Sequence, residues 1–151
     1  MQADLENDFL LLLYDVARQM RTRADQMARA QGMTRAQWVI LARLERQPGL
    51  SQNELAAIAE TAPITIARLV DRLEEMGLVE RCADPGDRRV WRLRLTAKAA
   101  PYLSDIKRYR ADLRTLMTKD VDPEVLEAVT LGLRQMKDNL NEASRMSKAY
   151  A

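Results

Sequence analysis

A mainly α-helical chain carrying one small β-hairpin is the fold class this sequence predicts, and three observations predict it. Apolar residues recur at helical spacing through most of the 151 residues, 47% of which are hydrophobic. Glycine and proline number only five each, and most of them fall between the periodic stretches, where they open or close helices. One break in the pattern, Asp84-Pro85-Gly86-Asp87, sits between two short strand-like runs and reads as a tight turn.

The elements follow in order. A first helix is predicted over about Leu5–Ala30, with Phe9, Leu12, Val16, Met20 and Met27 near one stripe and Gly32 as its stop. Thr34 and Gln37 form a capping-box pattern that opens a second helix, whose Trp38, Leu41 and Leu44 share a face before Pro48-Gly49 ends it. Ser51 and Glu54 repeat the box and open a short third helix that stops near Glu60. Thr61 or Ala62 with Pro63 starts a fourth, since proline is tolerated in a first turn where its missing N–H has no partner to lose. That helix turns Ile66, Leu69, Val70, Leu73 and Met76 to a core and Thr65, Arg68 and Arg72 to a polar face. Leu78–Cys82 and Val90–Leu95 are read as paired strands, with Trp91, Leu93 and Leu95 covering the fourth helix and Arg92 and Arg94 outward. Two long helices end the chain. Leu126, Val129, Leu133, Met136 and Leu140 step by three and four, an a/d seam, while Leu103, Ile106, Leu113 and Leu116 make a less regular stripe.

A short polar-faced helix placed second after a tight turn, followed by a basic hairpin, is the layout of a winged helix-turn-helix flanked by N- and C-terminal dimerisation helices. The hairpin is where the charge lies. Arg81, Arg88, Arg89, Arg92, Arg94 and Lys98 oppose only Asp84 and Asp87, a local surplus of four, whereas the whole chain carries a net charge of +2. Such concentration is a nucleic-acid footprint. A helix of that kind fits the major groove, where arginine bonds guanine bidentately, and Arg88 and Arg89 near the hairpin tip suit the narrow minor groove. Either feature alone also describes a solvated surface helix and a solubilising hairpin.

Other classes are disfavoured by what is missing. Histidine is absent, no glycine-rich phosphate loop or nucleophile elbow occurs, and a single cysteine, Cys82, makes neither an internal disulfide nor a cysteine cluster. The chain therefore reads as a non-enzyme without metal or cofactor. Phe9–Tyr14 is too short an apolar run to span a bilayer, so the expected setting is the cytoplasm, without membrane contact.

Leu69-Val70-Asp71-Arg72-Leu73-Glu74, then Gly77-Leu78-Val79-Glu80-Arg81, then Asp87-Arg88-Arg89 followed by Leu95-Thr96, resemble the MarR family of bacterial transcriptional regulators, and in particular its SlyA-like branch. The resemblance extends over nearly the whole chain. It implies a homodimeric repressor on a pseudo-palindromic duplex DNA operator, relieved by a small anionic aromatic ligand. On that resemblance Thr65 and Arg68 match base-reading positions, Arg89 the minor-groove arginine, and Asp87 holds the wing's shape; with Arg72 of the polar face and Arg88 near the hairpin tip these are the expected DNA-contacting residues. Residues 34–96 would form the DNA-binding region, and 1–33 with 97–151 the dimerisation helices of one intertwined domain. A departure is Pro63-Ile64, since many members place this proline one residue later.

An effector pocket is expected where the first two helices meet, from Arg18, Arg21, Thr34 and Trp38: guanidinium suits a carboxylate and indole an aromatic ring. SlyA-like proteins that bind salicylate resemble the chain at these four positions. The same arginines could instead pair with Asp15 and Asp25, and Trp38 could be core. The C-terminal seam could pack within the monomer, although a second copy is the economical cover for so many apolar faces. Cys82, at a strand end, is read as packing rather than as a redox switch. A winged-helix module that binds protein and not DNA is the alternative reading of the whole.

Overall fold

The computed structural model describes residues 8–149. In chain order these form α1 (Phe9–Ala30), α2 (Arg35–Arg46), α3 (Gln52–Ile58), α4 (Pro63–Glu75), strands β1 (Val79–Ala83) and β2 (Trp91–Leu95), one 3-10 turn (Ala97–Ala99), α5 (Ala100–Met117) and α6 (Pro123–Ala149). The architecture is mainly helical with one antiparallel hairpin, as the periodicity predicts. The chain divides into two compact units, one ending at Tyr109 and the other beginning at Arg110.

Helix boundaries are set by local chemistry. Asp8 caps α1, its carboxylate accepting from the Leu11 N–H; the predicted start at Leu5 lies outside the described residues. Both capping boxes form, Thr34 with Gln37 at α2 and Ser51 with Glu54 at α3, so each helix start satisfies two otherwise unpaired backbone N–H groups. Pro63 takes the first position of α4 behind Ala62, which supplies no side-chain cap. α1 and α4 close alike: Met33 N–H reaches Ala28 O and Leu78 N–H reaches Leu73 O, with Gly32 and Gly77 at positive φ. That left-handed closing residue is where glycine is favoured. α3 closes the same way with Thr61 N–H on Ala56 O, but there the positive φ falls on Glu60.

The core of the first unit lies between α2, α3, α4 and the hairpin. Leu41, Leu44, Leu55, Val70, Leu73, Leu78, Val79 and Leu93 are its fully buried side chains, joined by Ala28 from α1 and by Ala99, Leu103 and Ile106 beyond the hairpin. The hairpin pairs Val79 with Leu95 through to Ala83 with Trp91. An isolated two-stranded ribbon is marginal in water. Here the second edge of β2 is also covered, because Gly49 N–H donates to Leu93 O and Leu93 N–H to Leu50 O.

Two details of the predicted hairpin change. The first strand begins at Val79 instead of Leu78, because the Leu78 N–H is committed to closing α4. The side-chain alternation also differs: Leu93 is buried, but Trp91, at the far end opposite Ala83, is 51% exposed. It lies too far along the ribbon to cover α4. Arg92, expected to face outward, is half-buried.

Much apolar surface stays uncovered. On α1 the whole predicted stripe, Phe9, Leu12, Val16, Met20 and Met27, is exposed. On α6, Val129, Leu133, Met136 and Leu140 are exposed as well, Leu140 to 70%. The α5 stripe divides: Leu103 and Ile106 pack into the core, while Leu116 is exposed.

Candidate nucleic-acid interface

Amphipathic α4 presents the predicted polar face. Its core side buries Ile66, Val70 and Leu73, and helical geometry therefore turns Thr65, Arg68 and Arg72 outward, where all three are exposed. They are not equivalent. Arg72 pairs with Glu75 at 2.9 Å in an exposed i,i+3 contact, whereas Arg68 has no carboxylate partner among the described residues. Ile64, the residue where the sequence departs from the common proline position, is exposed at the start of the same helix.

The hairpin turn is built by backbone capture. Asp84 Oδ1 accepts from the N–H groups of Gly86 at 2.7 Å and Asp87 at 3.1 Å. Asp87 Oδ1 accepts from the Arg89 N–H at 2.9 Å, and Val90 N–H closes onto Asp87 O. Such Asx turns replace lost ladder bonds. Arg88 and Arg89 are carried exposed on this frame, and neither side chain meets a carboxylate among the described residues. Asp87 thus has a shaping role, and Asp84, which sequence reasoning placed only among the turn residues, holds more of the turn.

Two of the six basic residues counted in the sequence are spent internally. Arg81, 19% exposed at its side chain, is bound by Asp71 and Glu74 of α4 and donates to Gln52 Oε1 of α3. Arg92 donates to Asp84 Oδ2 at 2.7 Å and to Glu54 Oε2 at 2.8 Å. The Arg92 hydrogen bond, with the turn amides, holds the Asp84 carboxyl below the ordinary range, and the capping bonds from Ser51 do the same for Glu54. The guanidinium of Arg92 is held above its ordinary value by Asp84 first, then Glu54. The exposed positive charge of the hairpin therefore reduces to Arg88, Arg89, Arg94 and Lys98. Composition could not reveal this, since pairing depends on which elements meet.

At the α1–α2 corner the four candidate effector residues part company. Trp38 is 5% exposed; its Nε1 donates to Gln31 Oε1 at 2.9 Å and its ring meets Tyr109 edge-on. Thr34 is occupied in the capping box. Tyr109 Oη is buried without a partner among the described residues, and burial pushes its phenol up. Arg18 pairs with Asp15 at 2.9 Å, while Asp25 pairs with Arg35. Arg18 and Arg21 precede the end of α1 by twelve and nine residues, about 18 and 14 Å along a helix axis. A groove of about 390 Å³ lies elsewhere, lined by Leu44, Glu45, Pro48, Gly49, Arg94 and Leu95.

The arrangement of a polar-faced helix beside a basic hairpin matches known proteins. The model of the MarR family matches residues 33–91. The crystal structure of MarR shares 30% sequence identity and a TM-score of 0.78, over 93% of this chain and 95% of that one. The chain belongs to the MarR family. Its fold also matches the transcriptional regulator SlyA, at 24% identity and TM-score 0.79 over 90% and 96% of the two chains. The MepR–DNA complex of S. aureus matches at 23% identity and TM-score 0.76 over 89% and 98%. The matched residues take in α2, α3, α4 and β1 and end at the first residue of β2. No helix among the described residues is long and apolar enough to cross a membrane.

Proposed function

We propose that this chain is a homodimeric repressor that binds a pseudo-palindromic operator in duplex DNA. Thr65, Arg68 and Arg72 of α4 face the major groove. Arg88 and Arg89 enter the flanking minor groove on a turn shaped by Asp87. Residues 34–96 act as the DNA-binding region, and 1–33 with 97–151 supply the dimerisation helices. The observation that carries the reading is the unpaired state of Arg68, Arg88 and Arg89 beside carboxylate-bound Arg72, Arg81 and Arg92. These guanidiniums, exposed on α4 and on the hairpin turn and without a carboxylate partner among the described residues, are available to phosphates and bases. The arginine excess of the wing argues against a module that binds protein alone.

Variants divide the labour. Arg68→Ala costs about 1–3 kcal/mol at the preferred site and flattens base preference, the scale of one bidentate contact. Arg89→Ala weakens binding more evenly across sequences, with sensitivity to flanking A·T content, because the minor groove encodes little beyond width and A·T content. Unchanged affinity in both folded variants refutes the assignment.

Relief by a small aromatic carboxylate is the finer part of the proposal. Exposed Arg18 and Arg21 offer charge partners, and Trp38 reaches a ligand only if the α1–α2 corner opens or a second copy completes the pocket. Salicylate is then expected to alter Trp fluorescence and weaken operator binding, and Arg21→Ala to abolish the response while sparing DNA binding. A ligand acts so only by binding one state better. An alanine variant that responds like the parent removes Arg21 from the site.

A further inference from the structure

Arg92 joins two segments far apart in sequence. Its guanidinium spans the hairpin turn, through Asp84 Oδ2, and the first turn of α3, through Glu54 Oε2. Both acceptors have a second task. Glu54 Oε2 also accepts from the Ser51 N–H at 2.8 Å, fixing the start of α3. Asp84 Oδ1 holds the Gly86 and Asp87 amides, and Asp87 in turn holds the amide of Arg89. The result is an unbroken chain of charge-assisted contacts from α3 to the backbone of Arg89. Ser51, which caps α3, is itself bridged to Arg92 by backbone pairing, so the clamp sits where the second edge of β2 is covered.

We propose that Arg92 is a positioning residue for DNA binding: by tying Asp84 to Glu54 it fixes the hairpin turn against α3 and so sets where Arg89 presents its guanidinium. The inference rests on the reading of Arg89 as a DNA contact. Its physics is preorganisation. A turn that must be ordered on binding loses conformational freedom at that moment, and the loss subtracts from affinity. A guanidinium bonded to two carboxylates orders the turn beforehand, with bonds roughly twice as strong as neutral ones. The same two carboxylates leave Arg92 itself little to offer a phosphate.

A double-mutant cycle on the full chain tests this, using a fluorescent duplex selected by the wild-type protein from a random-sequence pool. Arg92→Gln is expected to weaken binding about tenfold in the wild-type background and less than about twofold in the Arg89→Ala background, since coupled residues are non-additive. Glu54→Gln keeps the capping interaction and removes only the charge, so it gives the same pattern in smaller measure, and it replaces Arg92→Gln if thermal unfolding shows that variant misfolded. Arg92→Lys restores part of the loss. An equal loss in both backgrounds overturns the proposal, because Arg92 then acts on DNA directly or on the fold at large. No loss from either variant, while Arg89→Ala weakens binding, overturns it too. If Arg89→Ala leaves affinity unchanged, the reading of Arg89 as a DNA contact fails first, and this inference with it.

Discussion

Arg68 and Arg72 stand one turn apart on the same helix, yet among the described residues only Arg72 pairs with a carboxylate, Glu75, while Asp71, three residues on from Arg68, is taken by Arg81. Arg81 and Arg92 are the committed guanidiniums, each held by two carboxylates, whereas the exposed i,i+3 pair of Arg72 is weak. The sign of the wing's acid dependence follows from the committed ones. Asp84 and Glu54 are both held below the ordinary carboxylate range, so their contribution is fully present above the unfolded-state value and is lost as pH falls through the lowered one. The amide resonance of Gly86, which donates to Asp84 Oδ1, is therefore expected to stay constant from neutral pH through the ordinary carboxylate range and to move only below it. Arg92→Gln shifts that midpoint upward, because the first cause of the lowering is removed. A midpoint at the ordinary aspartate value in the unsubstituted protein contradicts the geometry of the clamp.

At the scale of elements, what the sequence made legible is what depends on neighbours a few residues apart. Both capping boxes, the proline start of α4 and the glycine stop after α1 were readable because each is a local hydrogen-bond problem solved by local residues. Trp91 and Arg92 were misplaced because β2 is sampled by two partners at once: β1 on one edge and Gly49–Ser51 on the other. Period-two alternation says which residues share a face, but not how far along the ribbon the core extends. The candidate DNA face was legible for the same local reason, as exposed positions of one amphipathic helix and the tip of one turn. Spacing displayed the bond between Thr34 and Gln37 but not the one from Trp38 to Gln31, which depends on how α2 meets the end of α1. α6 carries a test of its own. Its seam leaves Val129, Leu133 and Met136 exposed, and burying each such side chain is worth about 1.5–3 kcal/mol. Leu133→Glu is expected to shift the protein from dimer to monomer in light scattering while the hairpin core stays folded. A Leu133→Glu protein that remains dimeric at low concentration removes the seam from the interface.

For the whole molecule, a net charge of only +2 means that any affinity for DNA comes from where the charges are, not how many there are. α4 and the hairpin concentrate the unpaired arginines, and the uncovered faces of α1 and α6 invite a second copy. A two-fold axis then sets two α4 helices on one side of a duplex, with half-sites roughly 10 base pairs apart. Neutralisation of DNA phosphates by this surface is measured as affinity for duplex DNA against salt concentration. A steep linear fall of log affinity with log salt is expected, about a thousandfold or more between roughly 50 and 200 mM, because each neutralised phosphate releases counterions. Affinity that does not change over that range, or no binding to duplex DNA at low salt, contradicts it.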